Sequence, residues 1–164
     1  MVRPLPAADA VEDVDAVTDA VLTASRLLVA VSARSIAAVD DTITIPQFRL
    51  LVVLDASGPL KLTAIAEALG VNPSTATRMV DRLVAAGLID REPNPASRRE
   101  LVVSLSRKGR TVVSNVTKRR RAQIAQIVGQ MSPTSRRGLV RALSAFTQAG
   151  GEQPVSSRPD AIWL

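Results

Sequence analysis

The run KLTAIAEALGVNPSTATRMVDRLVAAGLIDR, from Lys61 to Arg91, leaves this chain few ways to fold. Ile65, Ala66 and Leu69 give one short helix an apolar side, and Ala76, Met79, Val80 and Leu83 give a second helix another. Gly70 supplies the turn between them, because a left-handed backbone costs little only at glycine. Val71 is expected to return to the core, Asn72 to cap the second helix, and Pro73 to occupy its pre-set first position. Thr63 is the expected cap of the first. Gly87 stops the second helix after Ala85-Ala86, and Leu88 to Arg91 reads as a short strand. The pattern is a helix-turn-helix that feeds a strand.

The strand needs a partner, and residues 101–105 provide one, with Leu101, Val103 and Leu105 alternating with Val102 and Ser104. Two prolines, Pro93 and Pro95, forbid helix between the strands and shape a loop from Glu92 to Arg99. Strand, basic-tipped loop and strand after a helix-turn-helix make a β-wing. Upstream, Thr44-Ile45-Pro46-Gln47 is a capping box that opens another helix, ended by Gly58-Pro59. Its apolar side is Phe48, Leu51, Val52 and Leu54. A long first helix is expected from about Asp9 to Val39. Val14, Val17, Val21, Ala24, Leu28 and Val31 form a heptad seam along it, suited to packing against another helix. After the wing, Ser106 caps a long basic helix whose apolar residues are Val112, Val113, Val116, Ile124, Ile127 and Val128. Ser132-Pro133 starts a last helix with Leu139, Val140, Leu143 and Phe146 apolar, closed by Gly150-Gly151.

Composition agrees with a helical core. Of 164 residues, 46% are hydrophobic but only 2% aromatic, so the interior must be built from Val, Leu, Ile and Ala. The chain has no Cys and no His. Disulfides and thiol redox sensing are excluded, as are Ser-His-Asp and Cys-His triads, and a transition-metal site would have only carboxylates to use. No cofactor is expected. The first residues lack the apolar core of an export signal, and no run approaches the roughly 18 apolar residues of a membrane span. The expectation is a soluble, cytoplasmic protein with no membrane partner.

The net charge of +6 is unevenly spread. Residues 1–60 carry four basic groups against eight acids, whereas residues 61–121 carry thirteen against five. A basic middle implies a polyanion partner for that part alone. The plainer reading, a solvated charged face, competes with this. The basic block, however, coincides with the helix-turn-helix, whose second helix presents unpaired N–H groups and a positive dipole end in its first turn. Ser74, Thr75 and Thr77 are short enough to let that helix lie close to base edges. Arg78 can donate two parallel hydrogen bonds to guanine O6 and N7, worth about 1–3 kcal/mol of discrimination. Arg82, one turn on, is placed for phosphate. With Thr63, Asn72 and Pro73 these residues are the candidate face for double-stranded DNA. Asp81 would repel DNA if it pointed outward, so it is expected to pair with a nearby arginine.

The order of elements resembles the MarR family (multiple antibiotic resistance regulators), winged helix-turn-helix proteins that regulate transcription. Ile43-Thr44-Ile45-Pro46-Gln47-Phe48 is similar to the start of that family's second helix. Leu69 to Leu83 is similar to its turn and recognition helix. Gly87-Leu88-Ile89 and Leu105-Ser106-Arg107-Lys108-Gly109 resemble its approaches to the wing and to the fifth helix. The likeness covers roughly residues 10–149.

The resemblance implies a mainly α protein with a small β-wing. It divides into an N-terminal stem helix over 1–40, a DNA-binding lobe over 41–105, C-terminal stem helices over 106–150 and a tail over 151–164. It implies a homodimer on a palindromic operator, with Val14, Val17, Val21, Leu139, Leu143 and Phe146 as dimerisation contacts. It further implies Arg99 in the minor groove and Arg98 near the backbone. Ser97 stands where the family pattern has an Asp, so the ion pair that would steady the wing arginine is not implied here. Lys118-Arg119-Arg120-Arg121 point all round a helix and read as solvated charge and intersubunit salt bridges. Family members often release DNA when a small, commonly anionic aromatic molecule binds, and Arg34 and Arg49 are the candidates for holding one; the plainer reading is two exposed arginines. The implied activity is a repressor relieved by such a ligand. The alternative is an architectural or nonspecific nucleic-acid-binding protein that uses the same basic block. An enzyme is disfavoured by the lack of paired carboxylates and of a phosphate-cradling glycine loop.

Overall fold

The computed structural model of the protein describes residues 8–94 and 97–151. The elements run α1 (Ala8–Ala37), α2 (Ile45–Ser57), β1 (Leu60–Lys61), α3 (Leu62–Leu69), α4 (Pro73–Ala85), β2 (Ile89–Asn94), β3 (Ser97–Leu105), α5 (Arg107–Gly129) and α6 (Pro133–Ala149). The fold is mainly helical with one small antiparallel sheet, as the sequence predicts. The expected tail lies outside the described residues from 152 onward.

α2 is the centre of the core. Thr44 Oγ1 accepts from the Gln47 N–H while Gln47 Oε1 accepts from the Thr44 N–H, the expected capping box. At its other end Gly58 takes φ 73°. Leu50, Leu51, Val52, Val53 and Leu54 are all buried, so the helix is enclosed on more sides than an apolar stripe would require. Ile36 of α1, Ile65 of α3, Val80 and Leu83 of α4, Ile89, Val103 and Leu105 of the sheet, and Val112, Val113 and Val116 of α5 pack in the same core. A Leu→Ala change in such a core costs about 2–5 kcal/mol.

The sheet differs from expectation in two respects. Its strand order is β1-β3-β2, and β1 was not read from the sequence. β1 has only two residues, Leu60 and Lys61, which pair with Val103 and Val102. Two residues carry no alternation to read; pairing with β3 alone makes them a strand. The wing strands also run further than expected. β2 continues through Pro93 to Asn94, with an irregularity in pairing between them, and β3 begins at Ser97. Pro93 is tolerated because a proline lacks only the N–H, and an edge strand need not donate at every position.

Thr63 is not a cap. The residue before α3 is Lys61, which makes no side-chain cap bond, and Thr63 lies exposed in the first turn. The incoming chain is held by β1 pairing instead, and so the helix starts earlier than a threonine cap would place it.

α1 departs from the reading that no segment approaches a membrane span. Residues Asp13–Ala37 are long and apolar enough to cross one by length and composition, and only 11% of the 18-residue apolar window within them is buried. The heptad seam accounts for part of this: Val31 is fully buried, but Val14 and Val17 are 63% and 53% exposed. On α6, Val140, Leu143 and Phe146 are likewise about half exposed or more, and no residue of that helix is buried. Two helices of one chain thus carry uncovered apolar faces. The basic run of α5 is corrected in one position. Lys118, Arg119 and Arg121 are exposed, but Arg120 is only 8% exposed, and burial lowers the pKa of its guanidinium.

Candidate nucleic-acid interface

The turn before α4 is built as a hinge-free corner. Gly70 adopts φ 65°, ψ 36°, and the Val71 N–H donates back to the Ala66 carbonyl at 3.0 Å. Val71 is partly buried against the core. Asn72 then caps α4, its Oδ1 accepting from the Thr75 N–H at 2.8 Å and from the Ser74 hydroxyl at 2.8 Å. Replacing Asn72 with Ala is expected to cost about 1 kcal/mol of stability, as caps of this kind do, read as a lower urea midpoint with an unchanged slope.

The inward side of α4 is Ala76, Val80 and Leu83, all buried, with Met79 partly so. That fixes what faces out. Asn72, Pro73, Ser74, Arg78, Asp81 and Arg82 are exposed, and Thr75 and Thr77 are half-buried. Ser74, Arg78 and Arg82 stand four residues apart, one above another on a single face. The Thr77 hydroxyl donates to the Pro73 carbonyl at 2.8 Å, so it is held against the helix. Arg78 Nε donates to the Ser74 carbonyl at 3.3 Å. That contact uses one of five guanidinium donors and aligns the side chain along the helix toward its N-terminal end.

Asp81 pairs with an arginine, as expected, and the partner is Arg91 on β2. This pair crosses from α4 to the wing and sets a cation against the one carboxylate of the exposed face, although Asp81 itself stays exposed. The sequence alone did not name Arg91, because the pairing depends on how the strand leaves α4. The wing tip is less complete. Arg98 and Arg99 are carried by the β3 backbone, but their side chains lie outside the described residues.

Arg34 and Arg49 are both exposed, one in the last turn of α1 and one on α2. Neither lines the cleft of about 350 Å³ formed by Asp55, Asp90, Glu92, Ser104, Arg107 and Arg110 among others. No group of three or more metal-ligating side chains occurs among the described residues.

The far end of α4 holds what the sequence reading overlooked. Three successive backbone carbonyls after the helix are each received by the first turn of α5. Lys108 Nζ donates to Ala86 at 2.9 Å, the Ser106 hydroxyl to Gly87 at 2.8 Å, and the Ser106 N–H to Leu88 at 3.1 Å. Ser106 was legible as the cap of α5, which it is, accepting from the Gly109 N–H at 2.9 Å. Its second role, toward α4, had no sequence signal.

Comparison with known proteins matches this geometry. The sequence model described as MarR family matches residues 43–101, the stretch from the start of α2 into β3. A crystal structure of RV1404 from Mycobacterium tuberculosis is 62% identical, covers 87% of this chain and 97% of that one, and superposes with a TM-score of 0.79. BpsR of Bordetella bronchiseptica, whose DNA binding is regulated by 6-hydroxynicotinic acid, is 25% identical over 80% of this chain and 92% of its own, with a TM-score of 0.59. The HTH-type transcriptional repressor MdtR of Bacillus subtilis is 37% identical over 51% of this chain and 54% of its own length. The chain spans about half to two thirds of the first curated relatives it matches.

Proposed function

The chain belongs to the MarR family of transcriptional regulators, and from that premise we propose that it is a cytoplasmic, homodimeric, sequence-specific DNA-binding repressor released by a small anionic aromatic ligand. The single observation that carries the DNA-binding part is the exposed polar face of α4, with Ser74, Arg78 and Arg82 aligned and its one carboxylate, Asp81, drawn off to Arg91. A helix with its apolar side locked in the core and this side outward has the form of a major-groove reading head.

Arg78 is assigned to base edges and Arg82 to phosphate, with Asn72, Pro73, Ser74, Thr75, Thr77 and Thr63 fixing the helix end against the duplex. Arg98 and Arg99 are assigned to the minor groove and adjacent backbone, where a narrow groove concentrates negative potential. The uncovered apolar faces of α1 and α6 support a dimer through Val14, Val17, Val21, Leu139, Leu143 and Phe146. A twofold axis then spaces two reading heads about 34–36 Å apart, to match a palindromic operator. The regulation of BpsR by 6-hydroxynicotinic acid supports an aromatic acid as the effector class, with Arg34 and Arg49 as its anion partners. Such a ligand acts only if it prefers the spacing of reading heads that misfits DNA.

The test is selection of bound sites from random duplexes. An enriched palindrome is expected, with binding that weakens steeply with salt at a slope near 0.9 per phosphate neutralised. On that site Arg78→Ala should relax sequence preference, losing about 1–3 kcal/mol of discrimination, while Arg82→Ala weakens all sequences alike. Equal loss of specificity from both changes would overturn the two assignments. Random duplex bound as tightly as any selected site would favour the architectural reading.

A further inference from the structure

The recognition helix is packed along its apolar side, and its C-terminal end is in addition received by the stem helix α5. The last carbonyls of a helix have no partner within it and carry the negative end of its dipole, so a cation placed there both satisfies and neutralises them. For α4 that cation is Lys108, whose ammonium donates to the Ala86 carbonyl across a sequence separation of twenty-two residues. Lys108 also lies within electrostatic reach of Asp40, in the turn between α1 and α2. There the Thr42 hydroxyl first, and to a smaller extent the Thr42 N–H and the Lys108 ammonium, hold the Asp40 carboxyl below its usual value against partial burial. The opposite, N-terminal end of α4 is exposed at Asn72, Pro73 and Ser74. Lys108 is exposed, and its own place on α5 is secured by the Ser106 cap. The ammonium is therefore not needed to form α5.

We propose that Lys108 is a positioning residue for DNA binding, one that sets the angle of the recognition helix to the stem by joining the C-terminal end of α4 to α5. It touches no DNA in this role. Even a small tilt of α4 about its C-terminal end displaces its N-terminal end most, and that is the end carrying Ser74 and Arg78. The angle also fixes the separation of the two reading heads in a dimer, so Lys108 stands between any change in the stem and the fit to an operator. This inference rests on the DNA-binding reading above.

The experiment compares the full chain with Lys108→Met and Lys108→Arg, using the duplex selected by the unaltered protein. Met keeps the helix propensity and aliphatic length of Lys but lacks the donor. The expected result is a loss of affinity of roughly fivefold to tenfold for Lys108→Met, the scale of one charged hydrogen bond at a helix C-terminus. The salt slope should be unchanged, since no phosphate contact is removed, and Lys108→Arg should recover most of the loss. A salt slope reduced by about 0.9 would make Lys108 a phosphate contact and overturn the proposal. So would affinity equal to the unaltered protein, or a loss that tracks the unfolded fraction and is not recovered by Arg. If the unaltered chain enriches no duplex at all, the DNA reading fails and this inference fails with it. Binding by the unaltered chain together with an indifferent Lys108→Met removes this inference alone.

Discussion

The double change Leu143→Asp, Phe146→Asp is expected to leave a folded single chain that has lost nearly all affinity for a two-half-site duplex. Both side chains sit on α6, 49% and 54% exposed, and no residue of that helix is buried in the chain's own core. Replacing them therefore removes little intrachain packing. What they lose is the cover we assign to a second chain, and a pair of desolvated carboxylates facing its apolar helices is strongly unfavourable. The affinity loss follows from tethering: joining two reading heads makes the second engagement intramolecular, worth roughly 10²–10⁴ in binding without any new contact. Sedimentation equilibrium should show a mass of one chain for the variant and two for the unaltered protein. Titration on duplexes with one and two half-sites should show the variant indifferent to the second half-site. An unaltered protein of one-chain mass, or a variant that still gains from the second half-site, would refute the dimer.

Much of this architecture was legible because each signal is local. The Thr44–Gln47 capping box, the Asn72 cap, the Ser106 cap and the left-handed turn at Gly70 are set by residues within four positions of one another, and all four are present. The same locality explains the misses. β1 is a strand only because β3 lies beside it, and Thr63 loses its capping role because that pairing holds the chain differently. The Asp81–Arg91 pair and the Lys108–Ala86 bond join different elements, and nothing within a helical turn of either residue announces them. Arg120 illustrates the limit of counting charge. In a run of four basic residues on a helix one must face the core side, and only the packing of α5 decides which. For the candidate site, the sequence indicated which residues lie on the recognition helix, but not what steadies that helix from behind.

Gly109→Ala is expected to destabilise the protein by about 3 kcal/mol, the upper end of what overpacking costs, although glycine within a helix normally gains about 0.5–1 kcal/mol on becoming alanine. Gly109 is buried in the first turns of α5, and a Cβ built there would lie 2.1 Å from the Leu88 carbonyl oxygen and 3.0 Å from Leu105 Cδ2. The leucine side chain can shift; the carbonyl cannot do so cheaply, because it accepts from the Ser106 N–H and lies between α4 and β2. The methyl group must push α5 away from the very segment through which Ser106 and Lys108 hold the end of α4. Two losses should therefore appear together: a lower urea midpoint, and weaker DNA binding by the fraction that remains folded. Gly138 on α6 provides the contrast, since a Cβ there meets nothing within 4 Å in the chain. In the Leu143→Asp, Phe146→Asp background, which removes any second chain from consideration, Gly138→Ala should raise the midpoint while Gly109→Ala lowers it. A Gly109→Ala protein as stable as the parent would mean that the close approach of α5 to Leu88 is not a constraint on this fold.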